Sequence, residues 1–313
     1  MNPFIQHLLG IGPVITDGAW GTQLQARGLA NGELPDAWNL SHPEQIAGVA
    51  QAYVEAGSQI ILTNTFSANR VRLAEQGLAG EVAAINRNGV EISLRGAGDR
   101  AYVFASMGPS GKMLMSGDTT EEELRAAFDE QARALADAGA DAIVVETMSD
   151  LEEAKLAVAA ARDTALPVVA CMVFDSGKDK DRTMMGTTPE QAAEALAAAG
   201  ADVIGSNCGQ GIEGFVSLCP RLRAGAGLPI WIKANAGLPE LVAGHTVYRA
   251  TAADFAGHLP ALVEAGATFI GGCCGTSPEF IQALKKQARA LPLREPVAST
   301  VKAGQGNFPD WWS

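Results

Sequence analysis

Cys208, Cys273 and Cys274 are the residues most able to do chemistry, and they sit in two glycine-rich turns, GSNCGQG and GGCCGT. Three thiolates form a soft, negatively charged donor set suited to Zn2+. Three protein ligands leave the fourth coordination position open, as a catalytic zinc requires. Taken alone, GGCC fits two other readings equally well: a pair of small buried apolar residues, or a strained redox disulfide. The additional Cys208, in a matching turn, tips the balance to zinc. Cys171 falls mid-strand and Cys219 in a helical stretch, so both are expected to pack in the core. An odd number of cysteines, five, argues against a disulfide framework. The four histidines lie in unrelated segments without metal-ligand spacing and read as structural.

Two acids come next. Asp17 opens DGAWGT and Glu146 closes VVET. Either alone reads as a turn or cap residue. Facing one site together, they would accept hydrogen bonds from an ammonium group. Carboxylates near a trithiolate are costly unless they bind a cation, and an amino-acid substrate supplies one. Asn235, in KANAGLP, reads as a loop-capping amide or a provisional fourth ligand, and Asn207 shares that ambiguity. Lys233 ends a strand-like run, where it would form either a Schiff base or a salt bridge to a neighbouring acid. Trp20 and Trp38 fall in one long loop. Aromatic faces attract onium groups, although either tryptophan alone is as well explained by packing.

These residues are far apart in sequence, so a scaffold must bring the ends of distant segments together. An internal repeat supplies it. The pattern A-G-[AS]-x-x-I occurs four times, at Ala56–Ile61, Ala138–Ile143, Ala199–Ile204 and Ala265–Ile270. Each copy follows a helical stretch and leads into a short apolar run. The glycine takes a helix C-cap position, and the run reads as a strand buried on both faces. Four more runs, VITD, YVFASMG, PVVACMVF and PIWIKAN, fill the gaps. Eight alternating units predict a parallel sheet closed into a (β/α)8 TIM barrel, typically ~250 residues. An open doubly wound sheet is the rival, but no G-x-G-x-x-G follows the first strand.

Barrel active sites collect at the C-terminal ends of the strands. Here those positions hold Asp17, Asn64, Ser106, Glu146, Asp175, Cys208, Asn235 and Cys273–Cys274. The longest connections are expected after the first strand, residues 18–42, and after the third, GPSGKMLMSGDTT. The expected organisation is a barrel over 1–292 and a C-terminal tail over 293–313. The tail's Trp311 and Trp312 would cover the barrel or a neighbouring subunit of a homo-oligomer.

The chain has 313 residues, 47% of them hydrophobic, ample for one large core. Its net charge of −12 argues against nucleic acid and anionic membranes as partners. It lacks a long apolar run and a signal-peptide pattern, so cytoplasmic residence is expected.

On the motifs DGAWGTQLQARG, EAG…LTNTF, SMGPSG, VVETM, GSNCG, KANAGLP and GGCCGT, the chain resembles the homocysteine S-methyltransferase family over residues ~10–290. That family includes betaine-dependent and S-methylmethionine-dependent enzymes and the homocysteine-binding module of cobalamin-dependent methionine synthase. The resemblance implies zinc on Cys208, Cys273 and Cys274, with the homocysteine amino group at Asp17 and Glu146. It also implies methyl transfer to the homocysteine thiol, giving methionine. The segment after NTF reads SAN, where vertebrate betaine enzymes carry a donor-contacting tyrosine. PDAWNLSHPE keeps a tryptophan, Trp38, in the loop region where those enzymes have one, and the chain looks most similar to bacterial betaine-type members. Betaine is therefore the first expected donor, a methylsulfonium the second, and methylcobalamin on a separate protein the alternative. Outside methyl transfer, the rival readings are a Schiff-base aldolase or isomerase using Lys233, and a non-catalytic zinc or thiol sensor.

Overall fold

The computed structural model describes residues 2–10, 12–242 and 245–291. The strands are β1 (Val14–Ile15), β2 (Ile60–Leu62), β3 (Tyr102–Met107), β4 (Ala142–Met148), β5 (Val168–Met172), β6 (Val203–Gly211), β7 (Ile230–Asn235), β8 (Glu240–Val242), β9 (His245–Val247) and β10 (Ala267–Gly272). Eight of them form one parallel sheet in the order β1-β10-β7-β6-β5-β4-β3-β2. A parallel bridge between Thr16 and Ile60 joins its two edges. Gln59 completes the seam, its N–H donating to Ile15 O (2.7 Å) and its Oε1 accepting from Ile15 N–H (2.9 Å). The predicted (β/α)8 barrel is the observed architecture.

The repeat works as its chemistry requires. Gly57, Gly139, Gly200 and Gly266 all take positive φ, between 95° and 110°, where a side chain would be strained. Each ends a helix and turns the chain into the next strand. Helix starts are equally explicit: Thr120 with Glu123, and Thr188 with Gln191, form reciprocal capping boxes.

Alternation along the strands divides the apolar residues into two layers. Ile61, Val103, Ile143, Val145, Ile204 and Ile232 face outward and pack under the helices. Leu62, Phe104, Val144, Cys171, Trp231 and Phe269 fill the barrel interior. Trp231 stacks between Phe104 (5.9 Å) and Phe269 (5.5 Å), closing the lower barrel. The N-terminal helix Pro3–Leu9, capped by the Asn2 side chain, adds Ile5 and Leu8 to that interior cluster as a plug. Everything above this apolar floor is left for polar chemistry.

Against the sequence reading, the connections after β5 and β7 are longer than the one after β3. The segment after β7 carries an antiparallel hairpin, β8–β9, instead of a direct helix. The segment after β5 is pinned by Arg221, which pairs with Asp181 (2.6 Å) and Glu190. The expected tail over 293–313, with Trp311 and Trp312, lies outside the described residues. Among the described residues, no helix is long and apolar enough to cross a membrane.

Candidate metal centre

The strand ends deliver the three expected cysteines to one place. Cys208 lies within β6, and Cys273 and Cys274 follow β10 directly. Their sulfurs all lie within 4.8 Å of one another, with Cys208 and Cys274 at 4.0 Å. A tetrahedral zinc with Zn–S bonds of ~2.3 Å needs sulfurs about 3.8 Å apart. The trio therefore fits a soft divalent cation with little adjustment.

Local backbone chemistry sets this spacing. Cys208 has φ +61°, a left-handed conformation that costs a non-glycine residue roughly 1–2 kcal/mol. That kink swings its sulfur away from the strand and toward β10. On the other side, Cys273 N–H donates to Ala234 O (2.6 Å) and Ala236 N–H to Cys274 O (2.9 Å), tying the cysteine turn to β7. Thr276 Oγ1 donates to Cys273 O (2.7 Å) and accepts from Ala19 N–H (3.1 Å), linking the turn to the loop after β1. At Gly275, φ +82°, an added Cβ would sit 2.2 Å from Cγ of Tyr248. Only glycine lets the Tyr248 ring lie there.

Ionisation of the trio is unequal. Hydrogen bonds from Cys273 and Cys274, with help from Gly209 N–H and the Asn235 side chain, lower the Cys208 thiol to about 3 despite burial. The contact with Cys208 and burial push Cys273 well up, and Cys274 to about 12 against an opposing contact from Cys273. A metal is what would make all three sulfurs thiolates. Cys171 and Cys219 are both raised by burial, Cys219 to about 12, as expected of core thiols.

Beneath the sulfurs lies a charged layer. Asp17, 0% exposed, pairs through Oδ1 with the ammonium of Lys233, itself 2% exposed. Its Oδ2 accepts from Trp20 Nε1–H (2.7 Å) and from Leu62 N–H (2.7 Å). Burial alone would lower the Lys233 ammonium, but the charges of Asp17 and Glu146, with the Asp17 hydrogen bond, leave it raised. Glu146 accepts from Ser106 Oγ–H (2.5 Å) through Oε1 and approaches Asn207 Nδ2 (3.4 Å) through Oε2. Burial raises its carboxyl, with the Lys233 charge and the Ser106 bond opposing.

The remaining expected residues divide. Asn235 is buried beside Cys208, and its Oδ1 has no hydrogen-bond partner. Trp20 reaches the site through its bond to Asp17. Trp38 is 4% exposed, stacks on His42 at 4.4 Å and donates to Glu33 (2.8 Å), which is a packing environment. Asn64 is buried but engaged with Pro35 O and Asn39, holding the first loop. Asp175 is exposed and lies outside the cluster.

Two further residues contribute: Asn207, which the sequence left ambiguous between a capping amide and a ligand, and Tyr248, which it did not single out. Asn207 receives Thr147 N–H at its Oδ1 (2.8 Å), donates to Thr147 Oγ1 (2.7 Å) and lies 3.9 Å from Cys273 Sγ. It clamps Thr147, which has φ +62°. Tyr248 leaves the β8–β9 hairpin and hydrogen-bonds Cys274. Asn207 was visible as the neighbour of Cys208, but its partner Thr147 was not. Tyr248 lies outside every strand-end position.

All the exposed large apolar side chains among the described residues lie on the face that carries this site. They are Leu40, Phe66, Met113, Met115, Met184, Met185, Leu238, Leu241 and Val242, with Met115 at 73% and Leu241 at 79%. Each belongs to a connection between a barrel strand and the helix that follows it.

Comparison with known proteins agrees with the geometry. A family model described as homocysteine S-methyltransferase matches residues 14–288. Methionine synthase of Mycobacterium leprae is 30% identical over 95% of this chain and 25% of its own length. Methionine synthase of Mycobacterium tuberculosis is 32% identical over 86% of this chain and 24% of its own. The chain thus spans about a quarter of the length of these curated relatives. The metallated form of the homocysteine methyltransferase MmuM from Escherichia coli superposes with a TM-score of 0.76 at 26% identity, covering 91% of this chain and all of that one.

Proposed function

Because the chain belongs to the homocysteine S-methyltransferase family, we propose that it moves a methyl group onto the thiol of homocysteine, giving methionine, at a zinc ion held by Cys208, Cys273 and Cys274. The carrying observation is the convergence of three sulfurs within 4.8 Å above a buried acid layer. Zinc there would supply the Lewis acidity that keeps a substrate sulfur ionised at neutral pH, where a free thiol titrates near ~8.5. The chain's own residues do the rest. Asn207 and Tyr248 hold Cys273 and Cys274 in place through N–H···S and O–H···S contacts. The orphaned Oδ1 of Asn235 supports its role as a provisional ligand that yields to the substrate. The acid layer receives the substrate ammonium. The apolar floor below excludes water, which favours a transfer that disperses charge.

A small onium compound is the proposed donor, betaine first and S-methylmethionine second. Trp20 offers its ring beside the charged layer, whereas Trp38 would have to leave its contact with His42. A second reading has the methyl group arrive on a separate cobalamin protein. The exposed Met and Leu side chains on the connections that follow the barrel strands favour it, since large apolar side chains left exposed on one face mark docking surfaces. The Schiff-base reading of Lys233 needs a free neutral amine, and its ion pair with Asp17 opposes that. The deciding experiment mixes zinc-loaded protein and homocysteine with betaine, S-methylmethionine or methylcobalamin and measures methionine. Betaine turnover supports the first reading, and activity with methylcobalamin alone the second. No methionine from any donor refutes the proposed reaction and leaves the zinc or thiol sensor standing.

A further inference from the structure

Two acids at the bottom of a thiol pocket would normally both be free for a substrate ammonium. Here one of them is not. Both oxygens of Asp17 are engaged, Oδ1 by the Lys233 ammonium and Oδ2 by Trp20 Nε1–H and Leu62 N–H, and its side chain has no exposed surface. Three donors leave a carboxylate little remaining acceptor capacity. Glu146 differs. Each of its oxygens has one neighbouring donor, Ser106 on one and Asn207 at 3.4 Å on the other, and 7% of the residue is exposed. The chain's own lysine therefore stands where a ligand cation would otherwise meet Asp17.

Resting on the reading of this site as a homocysteine pocket, we infer that Lys233 is a specificity-determining residue that consumes Asp17, so that Glu146 alone receives the amino group and thiols lacking that group are also accepted. The pocket then selects a short alkyl thiol, with the α-amino group adding one charge-assisted hydrogen bond in place of two. One such bond discriminates by about 10- to 100-fold. The ligand class at this site is accordingly broader than one amino acid, and 4-sulfanylbutanoate, which is homocysteine without its amino group, belongs to it.

Calorimetric titration of the zinc-loaded protein tests this without any methyl donor. Homocysteine and 4-sulfanylbutanoate are titrated in parallel, and the ratio of their dissociation constants is the readout. The wild-type ratio should favour homocysteine by about 10- to 100-fold, and Glu146→Gln should bring it close to unity. The paired change Asp17→Asn with Lys233→Met removes the ion pair as a unit and leaves Glu146 as the remaining buried charge of the layer. Its ratio should stay within about twofold of wild type. Lys233→Met alone frees Asp17 and should raise the ratio about tenfold or more. The inference is overturned if the paired variant loses its preference as Glu146→Gln does, or if Lys233→Met leaves the ratio unchanged. A wild-type protein that binds homocysteine but shows no binding of 4-sulfanylbutanoate at a thousandfold higher concentration also overturns it. Should the ratios hold while no donor yields methionine, the proposed reaction fails and this assignment stands.

Discussion

Replacing Asn207 by alanine should weaken metal binding by about 10- to 100-fold, the usual effect of losing a residue that orients metal ligands. The magnitude follows from what the amide touches. Its Oδ1 accepts Thr147 N–H at 2.8 Å, and its Nδ2 donates to Thr147 Oγ1 at 2.7 Å. Thr147 and Cys208 are both held at positive φ, and Asn207 is bonded to the first and adjacent in sequence to the second. Alanine leaves the Thr147 N–H without its acceptor, a loss of about 1–3 kcal/mol, and lets two strained turns relax independently. Cys273 also loses the amide 3.9 Å from its sulfur. The metal-free protein should melt lower by about 4–8 °C, taking ~2 kcal/mol and a domain of this size. Metal affinity is read by chelator competition at fixed pH, and stability by thermal unfolding of the apo form. A variant that melts lower yet competes for metal as wild type does would show that Asn207 only holds the fold. That result would refute the link between the Thr147 clamp and the sulfur geometry.

Other changes should separate the layers of the site. Alanine at Cys208, Cys273 or Cys274 should each abolish stoichiometric metal binding, measured by elemental analysis, whereas Cys171→Ala and Cys219→Ala should retain it. Trp20→Phe removes one of the two Oδ2 donors of Asp17 and should cost about 1.5–3 kcal/mol in denaturant unfolding. Asp36 is buried against Ser67 N–H, and burial raises its carboxyl from 3.8 to about 7. A raised acid favours the folded state fully below its unfolded value and loses that contribution as pH climbs through the folded one. Stability from this group should therefore decline between about pH 4 and pH 7. Asp36→Asn keeps the acceptor for Ser67 and should flatten that part of the melting-temperature profile; an unchanged slope would assign the pH dependence elsewhere.

The barrel was legible because its repeat is local. A glycine that must cap a helix and an apolar run that must be buried on both faces leave marks within six residues of each other. The metal trio was legible because cysteine in a glycine-rich turn has few structural uses and the topology brings β6 and β10 to the same mouth. The ion pair of Asp17 with Lys233 was only half legible. Lys233 read equally as a nucleophile or as a salt-bridge partner, and no spacing rule selects a partner 216 positions away. Tyr248 was hidden for a different reason. It reaches Cys274 from a hairpin whose short strands carry exposed side chains, so no buried-strand pattern announces it. Trp38 shows a limit of another kind: its place in the first loop is clear from the sequence, but whether an indole faces solvent or His42 depends on packing that composition does not encode.

In a closed barrel most rungs between strands run from peptide N–H to peptide carbonyl, but at the β1–β2 seam two are made by side chains, the neutral Gln59 and the ionisable Asp17. Leu62 N–H donates to the carboxylate of Asp17 instead of to a peptide oxygen. The last stitch of the barrel is thus an ionisable group that also belongs to the pocket. Any event that draws Asp17 toward a ligand, or changes the grip of Lys233 on it, loosens or tightens that stitch. The amide of Leu62 becomes a native reporter: its hydrogen-exchange rate, followed residue by residue, should register occupancy of the pocket from within the wall of the barrel.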